Sequence, residues 1–261
     1  TTVERIVAEG RDLGVFGMVL AGGEPLLREG LVFRLVERHP DTLFLLLTGA
    51  GLLDRETARR ACAPNLLVLV GADAERGDRG AARGALAAAR ASFGFTAVVD
   101  RENASRYASQ AFLARMRDDG CRVGMFFERM PVGRAAGSDY GFDGVSRRGF
   151  RRAIRIWQRR IGIPLRFYPD GEGEFGGCAA AGKAALHINA RGDVEPCPFI
   201  RVPLGSVEER SLADVLLDPG LAAVRAVAAR SAHREPCALL GHPALTDAGL
   251  GAGGRAGASP C

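Results

Sequence analysis

The sequence predicts an α/β protein, an incomplete (β/α) TIM-like barrel followed by a small α+β domain. Three observations carry this reading. Short apolar runs alternate with amphipathic stretches over the first two-thirds of the 261 residues, the signature of successive β/α units. That rhythm stops after Tyr168, where a glycine-rich segment begins. Beyond it, three of the six cysteines sit among glycines and prolines. Six cysteines are too sparse for a disulfide scaffold, and this placement favours metal ligation.

Residues 3–13 read as a helix, followed by an apolar strand over 15–20 and the turn Ala21-Gly22-Gly23-Glu24-Pro25. A helix over 26–38 and a strand over 43–48 come next, then a helix with Asp54 as its N-cap. A strand over 66–70 precedes a charged, glycine-containing loop and an alanine-rich helix running up to Phe93. The series continues with a strand over 96–99, a helix over 105–119 and a strand over 122–127. A helix over 146–160 and a strand over 165–168 complete it. A β/α chain normally opens on a strand, so the leading helix implies a further strand upstream of Thr1.

The spacing predicts three regions: 1–170 as a partial barrel, 171–245 as the small domain and 246–261 as a flexible Gly/Ala-rich tail. In the small domain, 171–182 reads as loop. Segments 185–189 and 193–195 read as a hairpin around Ala190-Arg191-Gly192, with Gly192 supplying a positive φ. Short helices are expected over 211–217 and 221–229.

Composition excludes several classes. No apolar run reaches about 18 residues, so no membrane span is expected. The charged opening TTVERIVAEGRDLG is no secretory signal, and the cytoplasm is the expected compartment. The net charge of +5 draws on a basic run from Arg147 to Arg160 with helical spacing. It reads as a solvated helix face, and with few aromatic residues nearby no nucleic-acid partner is expected.

Two patterns carry chemistry. Gly22-Gly23-Glu24-Pro25-Leu26 follows an apolar strand, at the end where β/α barrels hold their functional sites. Its glycines let backbone approach a ligand, although a plain strand-to-helix turn has the same composition. Cys178 is followed by thirteen residues, Gly192, four residues and Cys197, with Cys237 downstream. Two thiolates flanking a hairpin and a third from a later loop can enclose an iron–sulfur cluster. A zinc site using Cys178, Cys197, Cys237 and His187 or His242 is the alternative. Cys62 and Cys121 read as core residues, His187 as a packed hairpin residue, and Cys261 as a remote fourth-ligand candidate.

The segment Gly22–Leu26 resembles the GGEPL motif of radical S-adenosylmethionine (radical SAM) enzymes. The Cys–Gly–Cys spacing resembles the start of the SPASM or twitch module that holds an auxiliary cluster in that superfamily. His187-Ile188-Asn189, Gly192 to Phe199, Ser211-Leu212 and Cys237-Ala238-Leu239 fall where the module places comparable features. The segment Phe126 to Arg134, containing Met130-Pro131-Val132-Gly133, resembles a strand end of a subgroup with twitch-like modules. There it would line the adenosine pocket or substrate cavity. Asp170-Gly171-Glu172 and Asp78-Arg79-Gly80 are weaker strand-end candidates. Two strand ends depart from the family pattern: Thr48-Gly49-Ala50-Gly51 replaces Thr-Asn-Gly, and Val70-Gly71-Ala72 lacks a serine.

The resemblance implies a barrel of the radical SAM type with a SPASM/twitch-like domain. S-adenosylmethionine would sit at Gly22, Gly23, Glu24 and Pro25, and an auxiliary [4Fe–4S] cluster on Cys178, Cys197 and Cys237. The implied activity is reductive cleavage of S-adenosylmethionine to a 5′-deoxyadenosyl radical. A peptide or small-molecule substrate and a reductant such as flavodoxin or ferredoxin would be the partners. The catalytic [4Fe–4S] cluster of that superfamily is held by CxxxCxxC, which occurs nowhere in these 261 residues. The chain is therefore expected to be truncated at its N-terminus and inactive by itself. The alternatives are a non-catalytic iron–sulfur or electron-transfer protein and a zinc-stabilised scaffold. The residues identify no catalytic side chain.

Overall fold

The computed structural model describes residues 1–72, 79–132, 140–169, 178, 180–230, 237 and 239–240. They fall into two compact units: the described residues of Gly14–Arg129 with those of Tyr140–Tyr168, and the described residues of Thr1–Leu13, 130–139 and 169–261. Asp78, Gly133, Arg134, Asp170 to Gly177, His242 and the 246–261 tail lie outside the described residues. The chain opens on α1 (Thr2–Asp12), which belongs to the second unit.

The first unit is built on six parallel strands in sequential order, which form a half-barrel. They are β1 (Gly17–Leu20), β2 (Leu43–Thr48), β3 (Leu66–Gly71), β4 (Phe93–Val99), β5 (Gly124–Glu128) and β6 (Leu165–Tyr168). The connecting helices are α2 (Glu29–Arg38), α3 (Arg55–Arg60), α4 (Arg79–Ala89), α5 (Ala104–Tyr107), α6 (Gln110–Asp118) and α7 (Gly144–Ile161). Strands covered on both faces read as unbroken apolar runs, and Val68, Leu69 and Val70 of β3 are fully buried. Phe95, Phe112, Phe126, Phe150 and Tyr107 pack edge to face, with centroids 5.0–5.5 Å apart. β1 pairs with β2 alone, and Phe16 and Val19 beside its open edge are 82% and 59% exposed.

Several boundaries differ from the sequence reading, and three differ most in what they show. The alanine-rich helix stops at Ala89, Arg90 turns with φ +62°, and β4 starts at Phe93 in register with Val68. The expected 105–119 helix is two helices, because the Ser109 hydroxyl caps a new start by accepting from Phe112 N–H at 3.2 Å. The first turn of the expected 26–38 helix is 3₁₀ from Pro25 to Arg28.

The second unit has little regular structure: β7 (His187–Ile188), β8 (Val194–Glu195), α8 (Leu212–Leu216) and α9 (Pro219–Arg230) besides α1. β7 and β8 form the expected antiparallel hairpin, and Gly192 turns it with φ +85°. Any side chain there would be strained, and its Cβ would stand 3.2 Å from Val207 Cγ2. Val194, Leu204, Val207, Leu212, Val215 and Leu221 form one apolar core, against which Ile6 of α1 packs. Arg5 donates to the Val207 carbonyl, and Glu9 accepts from Leu212 N–H at 2.8 Å at the start of α8. The leading helix is thus a wall of the C-terminal unit.

Candidate cofactor turn and thiol cluster

The first site lies at the carboxyl ends of β1 and β2. Gly22 has φ +149°, open to glycine but costly for other residues, and a Cβ on Gly22 or Gly23 would meet nothing within 4 Å. The turn therefore presents bare backbone to open space. Glu24 caps the 3₁₀ turn, its Oε1 accepting from Leu26 N–H at 3.0 Å. The same carboxylate accepts from the Thr48 hydroxyl at 2.9 Å and from Gly49 N–H at 2.9 Å. Three donors of this chain fill most of the carboxylate's acceptor capacity. Glu24 thus ties the Gly22–Pro25 turn to the end of β2, leaving backbone groups as the turn's free contacts.

Thr48 also accepts from Ala50 N–H at 3.0 Å, which curls the segment so that Ala50 takes φ +69°. Ala50 is a buried non-glycine residue in the left-handed region, where an L side chain is strained.

Charges that the sequence reading passed over sit at the neighbouring strand ends. Asp100, just after β4, accepts from Glu102 and Asn103 N–H at 3.0 Å and lies 3.0 Å from Arg129 Nε. Glu128 at the end of β5 is held by Arg147 of α7, with Nε–Oε2 2.8 Å and Nη2–Oε1 2.5 Å. Both side chains of the latter pair are at most 2% exposed. An acidic residue closing an apolar strand was the available signal for both carboxylates.

The second site is in the C-terminal unit. Cys178, Cys197 and Cys237 are 6%, 4% and 9% exposed and share one apolar cluster with Met130, Ala181, Ile200, Val224 and Leu239. Met130, in the segment expected to line a pocket, belongs to the same apolar cluster as the thiols. Cys178 Sγ accepts from Ala181 N–H at 3.3 Å. Burial pushes the Cys197 thiol above the ordinary range, the backbone amides of Phe199 and Ile200 oppose this, and the nearby Cys178 and Glu195 add to it. Amides aimed at sulfur are the outer contacts that steady metal-bound thiolates.

His187 stands outside this cluster, with Nε2 3.8 Å from Glu195 Oε2 across the hairpin. Among the described residues, no three His, Cys, Asp or Glu side chains are gathered tightly enough for a single metal ion. Cys62, read from the sequence as a core residue, is instead exposed, with its thiol toward the Ala89 carbonyl at 2.8 Å. Cys121 is buried, and desolvation pushes its pKa up to about 12, so it is a core thiol.

Residues 178–239 match the family model for SPASM, an iron–sulfur cluster-binding domain. Among solved structures, SuiB of Streptococcus suis bound to S-adenosylmethionine is similar with a TM-score of 0.70 and 15% identity, covering 88% of this chain and 60% of SuiB. SuiB bound to precursor peptide SuiA gives a TM-score of 0.68 at 14% identity, covering 84% and 58%. Native anSMEcpe with bound AdoMet and Kp18Cys peptide gives 0.62 at 16%, covering 84% and 72%. The chain spans about three-fifths of SuiB's length. No curated protein matches it in sequence. The chain thus has the half-barrel fold of the radical SAM type, and its segment 178–239 is similar in sequence to the SPASM iron–sulfur domain.

Proposed function

We propose that Cys178, Cys197 and Cys237 ligate an auxiliary [4Fe–4S] cluster and that the whole protein is a radical SAM enzyme. The observation that carries this is the burial of all three thiols in one cluster within the matched segment. An iron–sulfur cluster spreads its ligands over several irons. The match of residues 178–239 to an iron–sulfur domain favours a cluster over a zinc ion. When bound, such a cluster supplies one-electron transfer or an open iron for substrate. Ala181, Phe199 and Ile200 amides would favour thiolate at Cys178 and Cys197, and Met130, Val224 and Leu239 would exclude water.

S-adenosylmethionine would bind at Gly22, Gly23, Glu24 and Pro25, with Glu24 fixing the turn and backbone groups making the contact. A peptide is the favoured substrate class, since SuiB and anSMEcpe were both solved with peptides. A flavodoxin or ferredoxin would supply electrons. The small domain would span 171–245, and the protein would be cytoplasmic. No helix among the described residues is long and apolar enough to cross a membrane. The second reading is a non-catalytic iron–sulfur or electron-transfer protein; the 261 residues themselves contain no CxxxCxxC. By itself, this chain is expected to leave S-adenosylmethionine uncleaved.

Anaerobic reconstitution tests the assignment. About four irons and four sulfides per chain, with broad visible absorption, are expected. Stoichiometric zinc without sulfide overturns it. Formation of 5′-deoxyadenosine by this chain with dithionite would contradict the expected inactivity.

A further inference from the structure

Helix α7 runs 18 residues from Gly144 to Ile161, of which seven are arginine and none is acidic. Phe150, Ile154 and Ile161 face the core, and Arg147 is consumed by Glu128. On the opposite side, Arg148, Arg152, Arg155 and Arg159 recur at intervals of four, three and four, and all are exposed. At 3.6 residues per turn these positions form a single stripe about 16 Å long. Among the described residues none of the four has a hydrogen-bond or ion-pair partner.

Several arginines elsewhere have a carboxylate partner. Arg5 pairs with Glu9, Arg60 with Glu29, Arg83 with Asp119 and Arg210 with Asp218. On α7, like charges three and four residues apart weaken the helix, and a positive first turn opposes the helix dipole. The helix bears that repulsion with no carboxylate of its own to relieve it. A simple solvated face needs no such concentration of one sign. Along one border of the stripe lie Val145 and Ile156, eleven residues apart and 72% and 43% exposed.

We propose that this face of α7 binds an acidic polypeptide segment. Its carboxylates would meet the arginine stripe, and its apolar side chains would cover Val145 and Ile156. A nucleic-acid backbone would neutralise the arginines but leave the apolar border in water. A helix lying on a membrane carries apolar residues at the centre of its docking face with basic residues at the margins, and α7 has the reverse. The proposal does not depend on the iron–sulfur assignment.

The test uses the purified chain and a fluorescein-labelled peptide of Glu-Glu-Leu repeats, read by anisotropy. Binding should weaken as salt rises. The variant R148Q/R152Q/R155Q/R159Q should bind at least about tenfold more weakly. A control with the same charge change, R28Q/R55Q/R59Q/R90Q, should bind like the parent. The pair V145S/I156S, which keeps every arginine and alters only exposed positions, should also weaken binding. Equal losses in the two quadruple variants would reduce the effect to net charge and overturn the proposal. So would no loss in V145S/I156S, or tighter binding to duplex DNA or to phosphatidylserine vesicles than to the peptide.

Discussion

The two units are held together by different means. The sheet unit is a stack of apolar strands whose neighbours in sequence are neighbours in space. Its stability comes from burial, as in the fully buried β3 core and the edge-to-face phenylalanines. The C-terminal unit has two-residue strands and short helices, joined by turns, side-chain caps and a cluster containing three thiols. With the proposed ligation, a unit whose described strands are two residues long would gain stability from the bound cluster. The lesson is that substitutions in the sheet unit should act through packing and buried charge, and those in the C-terminal unit through ligands and caps.

The largest effect is expected in the sheet unit. Glu128→Ala strands the Arg147 guanidinium in a site at most 2% exposed and should cost about 3–5 kcal/mol in denaturant unfolding. Replacing both partners with Met should cost far less, and an equal loss in the double variant would show that the pair's charges are not what matters. Next, Glu24→Ala removes the acceptor shared by Leu26 N–H, Thr48 hydroxyl and Gly49 N–H. It should cost about 1–3 kcal/mol by the same measurement. Ala50→Gly works in the other direction, relieving the positive φ and stabilising by about 1 kcal/mol. A destabilised Ala50→Gly would place the left-handed strain elsewhere.

The smallest effect belongs to the C-terminal unit and is read by pH. The backbone N–H of Leu212 holds the Glu9 carboxyl below its ordinary range, partly opposed by desolvation and helped by Arg5. A carboxyl with a lowered folded pKa contributes stability above its unfolded pKa and loses it as pH falls through the folded value. Amide exchange at Leu212 should therefore accelerate on the acid side of the glutamate range, beyond the intrinsic change. Glu9→Gln should remove that extra dependence, and a parent profile identical to the variant's would contradict the contact.

The same contrast governs what could be read from the residues alone. The strands were legible because apolar runs bounded by turns need no knowledge of partners. Boundaries moved where one side chain decided them, as Ser109 does between α5 and α6. The turns at Gly22 and Gly192 were legible because the backbone conformation each glycine takes is a local matter. Glu24's link to Thr48 and Gly49 was not, since it joins residues 24 and 25 apart through a side chain. Periodicity showed that α1 has an apolar side but could not tell that Arg5 and Glu9 reach residues 202 and 203 positions away. Met130 among the thiols was hidden for the same reason.

The proposed cluster requires Cys178, Cys197 and Cys237 to act together in the C-terminal unit. Iron and acid-labile sulfide should be counted after anaerobic reconstitution in the parent and in Cys178→Ala, Cys197→Ala and Cys237→Ala, with Cys62→Ala and Cys121→Ala as controls. The account predicts that each of the first three loses most of the iron and sulfide together, while both controls keep them. Full iron and sulfide content in any of the first three, or equal loss in a control, would contradict it.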